Sequence, residues 1–409
     1  MWELIRANKR NSIFLMVTMA LVLMALGFVI GASVSGAVEG GFLGLIVATV
    51  VWLILMLISY SSGDQIFLAA SKAKLVDHDV HPQLFNVVEE MKIAAALPAM
   101  PKVYIINDPA PNAFATGRKP ETASVAVTAG LLARLNRDEL QGVIAHEMSH
   151  IHHRDILFVT LAGVMLGSIV LLSHIFLRGM FYSSMGSSRR YSSGGKGGGQ
   201  AQLVMMVIAI VAAILAPIMA YLLYYALSRK REYLADAGAA RLTRYPEGLA
   251  SALEKIANDP APQLQVANKV TAPMYIANPF KKKGQRKLSN LSSTHPPIAE
   301  RVKILRNMTH GAAFKDYSNA FAAVTHNKPV VPATALTKEE IALREGQAKE
   351  GKQQAPQKQM RQVGDIMRKV NQFVFLTCLC GLKLKIPPNF KPDKVKCPRC
   401  SNQLDIPKK

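Results

Sequence analysis

The chain has 409 residues, 50% of them hydrophobic but only 7% aromatic, with 49 Lys and Arg against 27 Asp and Glu and a net charge of +22. So much Leu, Val, Ile and Ala excludes a disordered protein. Four cysteines, all between 378 and 400, exclude a disulfide-built scaffold for the rest of the chain.

The charge is uneven. Residues 1–227 hold 16 basic and 13 acidic residues, while 228–409 hold 33 and 14. An apolar, near-neutral half joined to a basic half reads as a membrane protein with a large domain on one face. Four stretches free of charge support this: Asn11–Val38, Gly40–Gly63, Ile156–Leu177 and Gly197–Ser228, the last with an apolar core at 203–227. A spanning helix needs ~20 apolar residues, and all four qualify. The first is longer than the ~7–15 residues of a signal-peptide core. A buried hairpin in a soluble core is the alternative for the third and fourth. Arg6, Lys9 and Arg10 precede the first span, and Ser35–Gly41 carries only Glu39. The positive-inside rule therefore places the N-terminus and residue 64 onward in the cytoplasm. Arg178, Arg189, Arg190 and Lys196 between the third and fourth spans run against that rule and keep a re-entrant hairpin open. That loop is Gly- and Ser-rich, with Gly194, Gly195 and 197–199, and reads as flexible.

The first soluble piece follows. His81–Met91 reads as an amphipathic helix, with Leu84, Val87, Val88 and Met91 at helical spacing. Lys102–Ile106 and Ser124–Thr128 read as strands, with Asn112–Gly117 between them as either an edge strand or a loop. Asp138 is placed to cap a helix starting at Glu139. That helix contains His146-Glu147-Met148-Ser149-His150. Histidines four apart share one helical face, and two imidazoles there can bind one Zn²⁺ at ~2.0–2.1 Å. Glu147 follows the first ligand, where it reaches a water on the metal without being a ligand itself. His152 and His153 complicate the ligand choice, because His150 and His153 also lie within one turn. They lack a Glu in the base position and read as polar residues near the membrane surface. Catalytic zinc wants a third protein ligand and one open position.

Past the fourth span the chain reads Ser228-Arg-Lys-Arg-Glu232-Tyr-Leu-Ala-Asp236. His150 lies six residues before the third span and Glu232 five beyond Leu227. Antiparallel spans would hold both within ~10 Å of one membrane face. Placement alone leaves Glu232 open as a solvated residue among basic neighbours.

Together with Asn112–Gly117 and Ser293-Thr-His295-Pro296-Pro297 followed by Glu300-Arg301, these segments resemble the HtpX family of membrane-bound gluzincin metalloproteases, relatives of the CAAX prenyl proteases. The resemblance covers about residues 1–310. It implies a zinc endopeptidase of the cytoplasmic membrane, with its active site in the cytosol, acting in membrane-protein quality control. It makes Glu232 the third zinc ligand and Asp236 an acid behind the ligands. Glu147 then serves as the base that activates water. His295 is a candidate for hydrogen bonding to the tetrahedral intermediate, or a turn-forming residue. Arg301 is a candidate partner of Asp236. Asn112–Gly117 would pair with an extended polypeptide substrate. A long basic tail beyond residue 310 departs from many members.

In that tail, Lys281–Lys287 is a basic loop, a solvated surface or a contact for anionic lipid. Leu336–Met360 reads as a polar helical or disordered linker. Cys378-Leu-Cys380 and Cys397-Pro-Arg-Cys400 stand sixteen residues apart, which suggests a zinc ribbon with a second, structural zinc; the rival is a redox thiol pair. No aromatic interleaving points to nucleic acid.

The expected fold is a mainly α membrane protein of four transmembrane helices, with a cytosolic α+β metalloprotease domain and a small C-terminal zinc-ribbon-like module. Residues 1–63 would hold two spans, 64–310 the protease domain with spans at about 156–177 and 203–227, 311–370 a linker and 371–409 the ribbon. Membrane lipids and polypeptides are the expected partners, and oligomerisation is open. The competing functions are a catalytically silent zinc scaffold and a prenyl-peptide protease.

Overall fold

The structure is a computed structural model that describes residues 2–186, 198–260, 264, 274–277, 295–327, 331, 336, 339–347 and 356–407. Arg189, Arg190, Gly194, Gly195, Lys196 and Lys281–Lys287 lie outside the described residues, as do Ser293 and Thr294. Four helices are long and apolar enough to cross a membrane: α1 (Trp2–Ser35), α2 (Val38–Ala70), α6 (Asp155–Gly186) and α7 (Gly198–Thr243). Met19, Leu23, Met165, Ile169, Ala213 and Tyr224 fill the middle of their bundle. Phe14, Leu43, Leu57, Ile175, Leu203 and Leu222 instead stand exposed around its outside. An apolar exterior of this extent suits lipid rather than water. Close approach of α1 and α2 needs glycine, since a Cβ on Gly44 would lie 2.9 Å from Gly31 Cα. Helix α7 has 46 residues, about 69 Å at 1.5 Å per residue. It outlasts the bilayer, and its final turns run into the soluble domain.

That domain is built on a four-stranded sheet in the order β1-β2-β4-β3, from Ala73–Leu75, Lys102–Ile106, Ser124–Thr128 and Ala113–Thr116 respectively. β2 and β4 are parallel, whereas β1 and β3 each run antiparallel to their neighbour. Strand β3 is thus an edge. Helix α3 (Pro82–Ala94) buries Leu84, Val87, Val88 and Met91, the stripe read from the sequence. Helix α4 (Ala129–Arg134) follows β4 directly.

Helix α5 (Arg137–His152) begins earlier than expected. Asn136, not Asp138, is its cap: the Asn136 side chain accepts from the Glu139 N–H, and Glu139 accepts from the Asn136 N–H. This reciprocal pair satisfies two helix-end donors at once, which a lone Asp cannot do. Asp138 instead pairs with Arg344 at 3.0 Å. Every residue of α5 from Asp138 to Ser149 is buried. It packs between the sheet, the end of α7 and α8 (Pro246–Asn258).

Within the expected linker at 311–370, two helices pack onto this core. After α9 (Ile298–Arg306), α10 (Phe314–Thr325) buries Phe314, Tyr317 and Phe321. α11 (Pro356–Val370) places Val363 and Met367 in the same core. Both carry apolar residues three or four apart within a polar composition, and that spacing decides burial. The tail ends in two antiparallel hairpins, β5 (Val374–Thr377) with β6 (Lys383–Ile386), and β7 (Lys394–Lys396) with β8 (Gln403–Asp405).

Candidate active site

Helix α5 presents His146 and His150 one turn apart, with their Nε2 atoms 3.3 Å from each other. The end of α7 brings Glu232 to them. Its Oε2 lies 3.7 Å from His146 Nε2 and its Oε1 3.4 Å from His150 Nε2. Ligands of a tetrahedral ion bound at 2.0–2.1 Å stand about 3.4 Å apart. Two imidazoles and a carboxylate at this spacing fit zinc. Glycine at 238 permits the geometry, because a Cβ there would drive into Ser149 Oγ and push α7 off α5.

A second tier of charges holds the three side chains. His146 Nδ1 is 3.0 Å from Asp236 Oδ1, and His150 Nδ1 is 3.2 Å from Asp155 Oδ2. Carboxylates behind metal-facing imidazoles fix the tautomer and the ring orientation. Arg301, fully buried, donates to both Asp236 oxygens at 2.8 and 2.7 Å and lies 3.3 Å from Glu232 Oε2. Arg231 bonds the Asp155 carbonyl at 3.3 Å and Ser12 Oγ of α1, so the site is tied to the membrane bundle. His295 Nδ1 lies 3.0 Å from Glu232 Oε2.

Asp155 was missed in the sequence, although it is the charge that opens the third uncharged stretch. His152 donates to or accepts from nothing at the site: its Nδ1 meets the Ala95 carbonyl at 3.1 Å. His153 is buried with neither ring nitrogen hydrogen-bonded among the described residues, and burial pushes its imidazole down to about 4. The ring is therefore neutral, and it is not among the three converging donors.

Burial, aided by Glu232 and opposed by His150, pushes the Glu147 carboxyl up to about 7. Its Oε1 is buried with no hydrogen-bond partner among the described residues. Burial likewise holds His146 below the usual imidazole range, with Arg301 acting in the same direction and Asp236 opposing. For His150, burial is outweighed by hydrogen bonds to Asp155 and Glu232, which push it up to about 10. A metal must displace that proton, so binding releases it. A pocket beside these groups is lined by Ala115 of β3, Met274, Arg231, and Ile156 and Val159 from the first turns of α6.

In the tail, Cys378 and Cys380 sit at the β5–β6 turn, and Cys397 and Cys400 at the β7–β8 turn. Cys378 Sγ is 3.3 Å from Cys400 Sγ, and Cys380 Sγ 3.7 Å from Cys397 Sγ. All four sulfurs lie within 4.8 Å of one another and none is in a disulfide.

The family model "Peptidase family M48" matches residues 79–309. "Protease HtpX homolog" of Dictyoglomus turgidum is 45% identical over 307 residues, covering 75% of this chain and 94% of its own length. The homologue of the same name from Caldanaerobacter subterraneus subsp. tengcongensis is 42% identical over 310 residues, covering 76% and 98%. That of Lactiplantibacillus plantarum is 41% identical over 308 residues, covering 75% and 100%. A crystal structure of S. mikatae Ste24p covers 64% of this chain and 58% of its own at 19% identity and TM-score 0.38, a likeness too slight to carry an argument. Neither a silent scaffold nor a prenyl-peptide protease is favoured by these likenesses. Four candidate spans, a soluble peptidase domain and relatives matched over nearly their whole length place the chain in the HtpX group of peptidase family M48, the membrane-bound zinc metalloproteases.

Proposed function

We propose that the protein is an endopeptidase of the cytoplasmic membrane, with its active site in the cytosol, that cuts damaged or unassembled membrane proteins in extended conformation. The observation that carries this is the convergence of His146, His150 and Glu232 at tetrahedral spacing, beside a buried Glu147 oxygen with no partner among the described residues. The two histidines and Glu232 would hold one zinc, which would supply Lewis acidity toward water and the scissile carbonyl. Glu147 takes a proton from water as its oxygen joins the carbonyl carbon, then gives that proton to the amine as the C–N bond breaks. The His295 side chain, beside Glu232, would hydrogen-bond the oxygen on which negative charge develops. The edge of β3 aligns the substrate backbone. Arg6, Lys9 and Arg10 before α1 and Arg229, Lys230 and Arg231 after the apolar part of α7 support the cytosolic side.

The four tail thiols hold a second, structural zinc. Sulfurs around a tetrahedral zinc at ~2.3 Å stand about 3.8 Å apart, close to the spacing here. So small a module buries too little apolar surface to fold unaided, and the metal supplies its folding free energy.

In detergent, the zinc-loaded chain should fragment an unfolded protein, lose that activity to a zinc chelator, and regain it on adding zinc. Fragmentation that persists after chelation, with zinc shown to be gone, would refute the reading.

A further inference from the structure

Strand β3 is only partly free to receive a substrate. The Ile276 N–H donates to the Ala113 carbonyl at 2.9 Å. The Ala277 N–H meets Asn112 Oδ1 at 3.4 Å, while Asn112 Nδ2 donates to the Ala277 carbonyl at 3.0 Å. Tyr275 packs edge-on against Phe114, with ring centroids 5.2 Å apart. Residues 275–277 therefore lie against β3 in descending register, antiparallel to it, with Tyr275 and Ile276 fully buried. This resident segment covers the first half of the edge, and Met274 lines the pocket beside Ala115.

Inward and outward backbone groups alternate along a strand. The Asn112 carbonyl accepts from the Thr128 N–H on the sheet side, and that of Ala113 faces outward to Ile276. Ala115 faces outward too. It lines one pocket with His150 and Glu232, so the part of the edge left unpaired among the described residues starts at the catalytic site. From there β3 heads for the membrane. Gly117 ends it at φ +124°, where a Cβ would strike Ala123 Cα at 2.7 Å. Arg118 Nη1 then donates to the Tyr60 carbonyl of α2 at 3.3 Å, and its guanidinium sits 5.2 Å from the Tyr60 ring. Tyr60 is one helical turn before Asp64, the first charge after the uncharged run of α2. Ala115 to Arg118 is three residues, about 10 Å of extended chain.

Resting on the proposed pairing of substrate with β3, we infer that the membrane-embedded part of a substrate lies on the N-terminal side of the bond that is cut. A substrate continuing the resident segment's polarity runs antiparallel to β3. Its residues before the scissile bond lie along 116–118 toward Tyr60 and the bilayer. Its residues after the bond leave the edge at Met274, where the resident segment blocks further pairing. The parallel alternative gives up the stronger antiparallel ladder. The protein is thereby suited to cutting just after a transmembrane helix, within roughly ten residues of its end.

The test uses the full chain in phosphatidylcholine vesicles and one cleavable extended segment in three forms: unanchored, with a transmembrane helix fused before it, and with the helix fused after it, the segment facing the active site in both anchored forms. The helix-first form should be cut about tenfold or more faster than the helix-last form, because anchoring helps only where geometry permits engagement. Mass spectrometry should place its cut within roughly ten residues of the helix. Equal rates, or faster cutting of the helix-last form, would overturn the polarity while leaving the protease reading intact. Failure to cut any of the three forms would overturn the protease reading and the inference with it.

Discussion

Glu147→Gln should retain zinc yet lose hydrolysis by roughly 10²–10⁴-fold, the usual contribution of a positioned general base. The amide is nearly the same size and leaves His146, His150 and Glu232 in place. It cannot accept the proton that water must lose. Glu147 is not among the three converging donors, so metal content should be unchanged. Burial has already pushed its carboxyl up to about 7, which keeps it basic enough to take a proton and acidic enough to return it. Zinc content and initial rates on an unfolded substrate check both halves. Undiminished cleavage by the variant would exclude Glu147 as the base.

Arg301→Ala should be the most destabilising single change near the site. The guanidinium is wholly buried, holds both oxygens of Asp236 and faces Glu232. It also donates to the Ile276 carbonyl at 3.0 Å, so it braces the segment that covers β3. Removing it leaves the buried Asp236 carboxylate without its guanidinium partner. Breaking a buried ion pair costs about 3–5 kcal/mol because the remaining charge has no water to solvate it. Arg301→Lys should recover part of the loss, since an ammonium keeps the charge but not the two-pronged contact. Thermal unfolding in detergent checks this. A variant as stable as the wild type would show that Asp236 and Glu232 do not depend on the guanidinium.

What could be read from the sequence follows the range of the interactions. His146, Glu147 and His150 are neighbours on one helix, so their spacing alone announces a metal site. Glu232 is 82 positions beyond His150; two adjacent spans bring both helix ends to one membrane face but leave Glu232 open as a solvated residue, and only the family resemblance makes it a ligand. The Arg301–Asp236 contact was foreseen as a partnership, but its burial was not, since no local pattern marks a buried cation. Asp155 was overlooked because its role depends on how the α5–α6 corner turns its carboxylate back onto His150. The antiparallel cover on β3 joins residues 163 positions apart, Ala113 to Ile276, through backbone groups that every residue carries. Nothing in composition or periodicity signals such a bond. The tail misled through its average polarity, which hid the apolar stripes of α10 and α11.

The central claim is that two imidazoles and Glu232 hold the catalytic metal, separately from the four thiols. Zinc content per chain tests it most directly in a Cys397→Ser background, where the tail site is removed. That protein should bind one zinc, and adding His153→Ala should leave it bound. Adding Glu232→Ala should bring the content to zero. Zinc retained in the Cys397→Ser, Glu232→Ala protein but lost with His153→Ala would contradict the account.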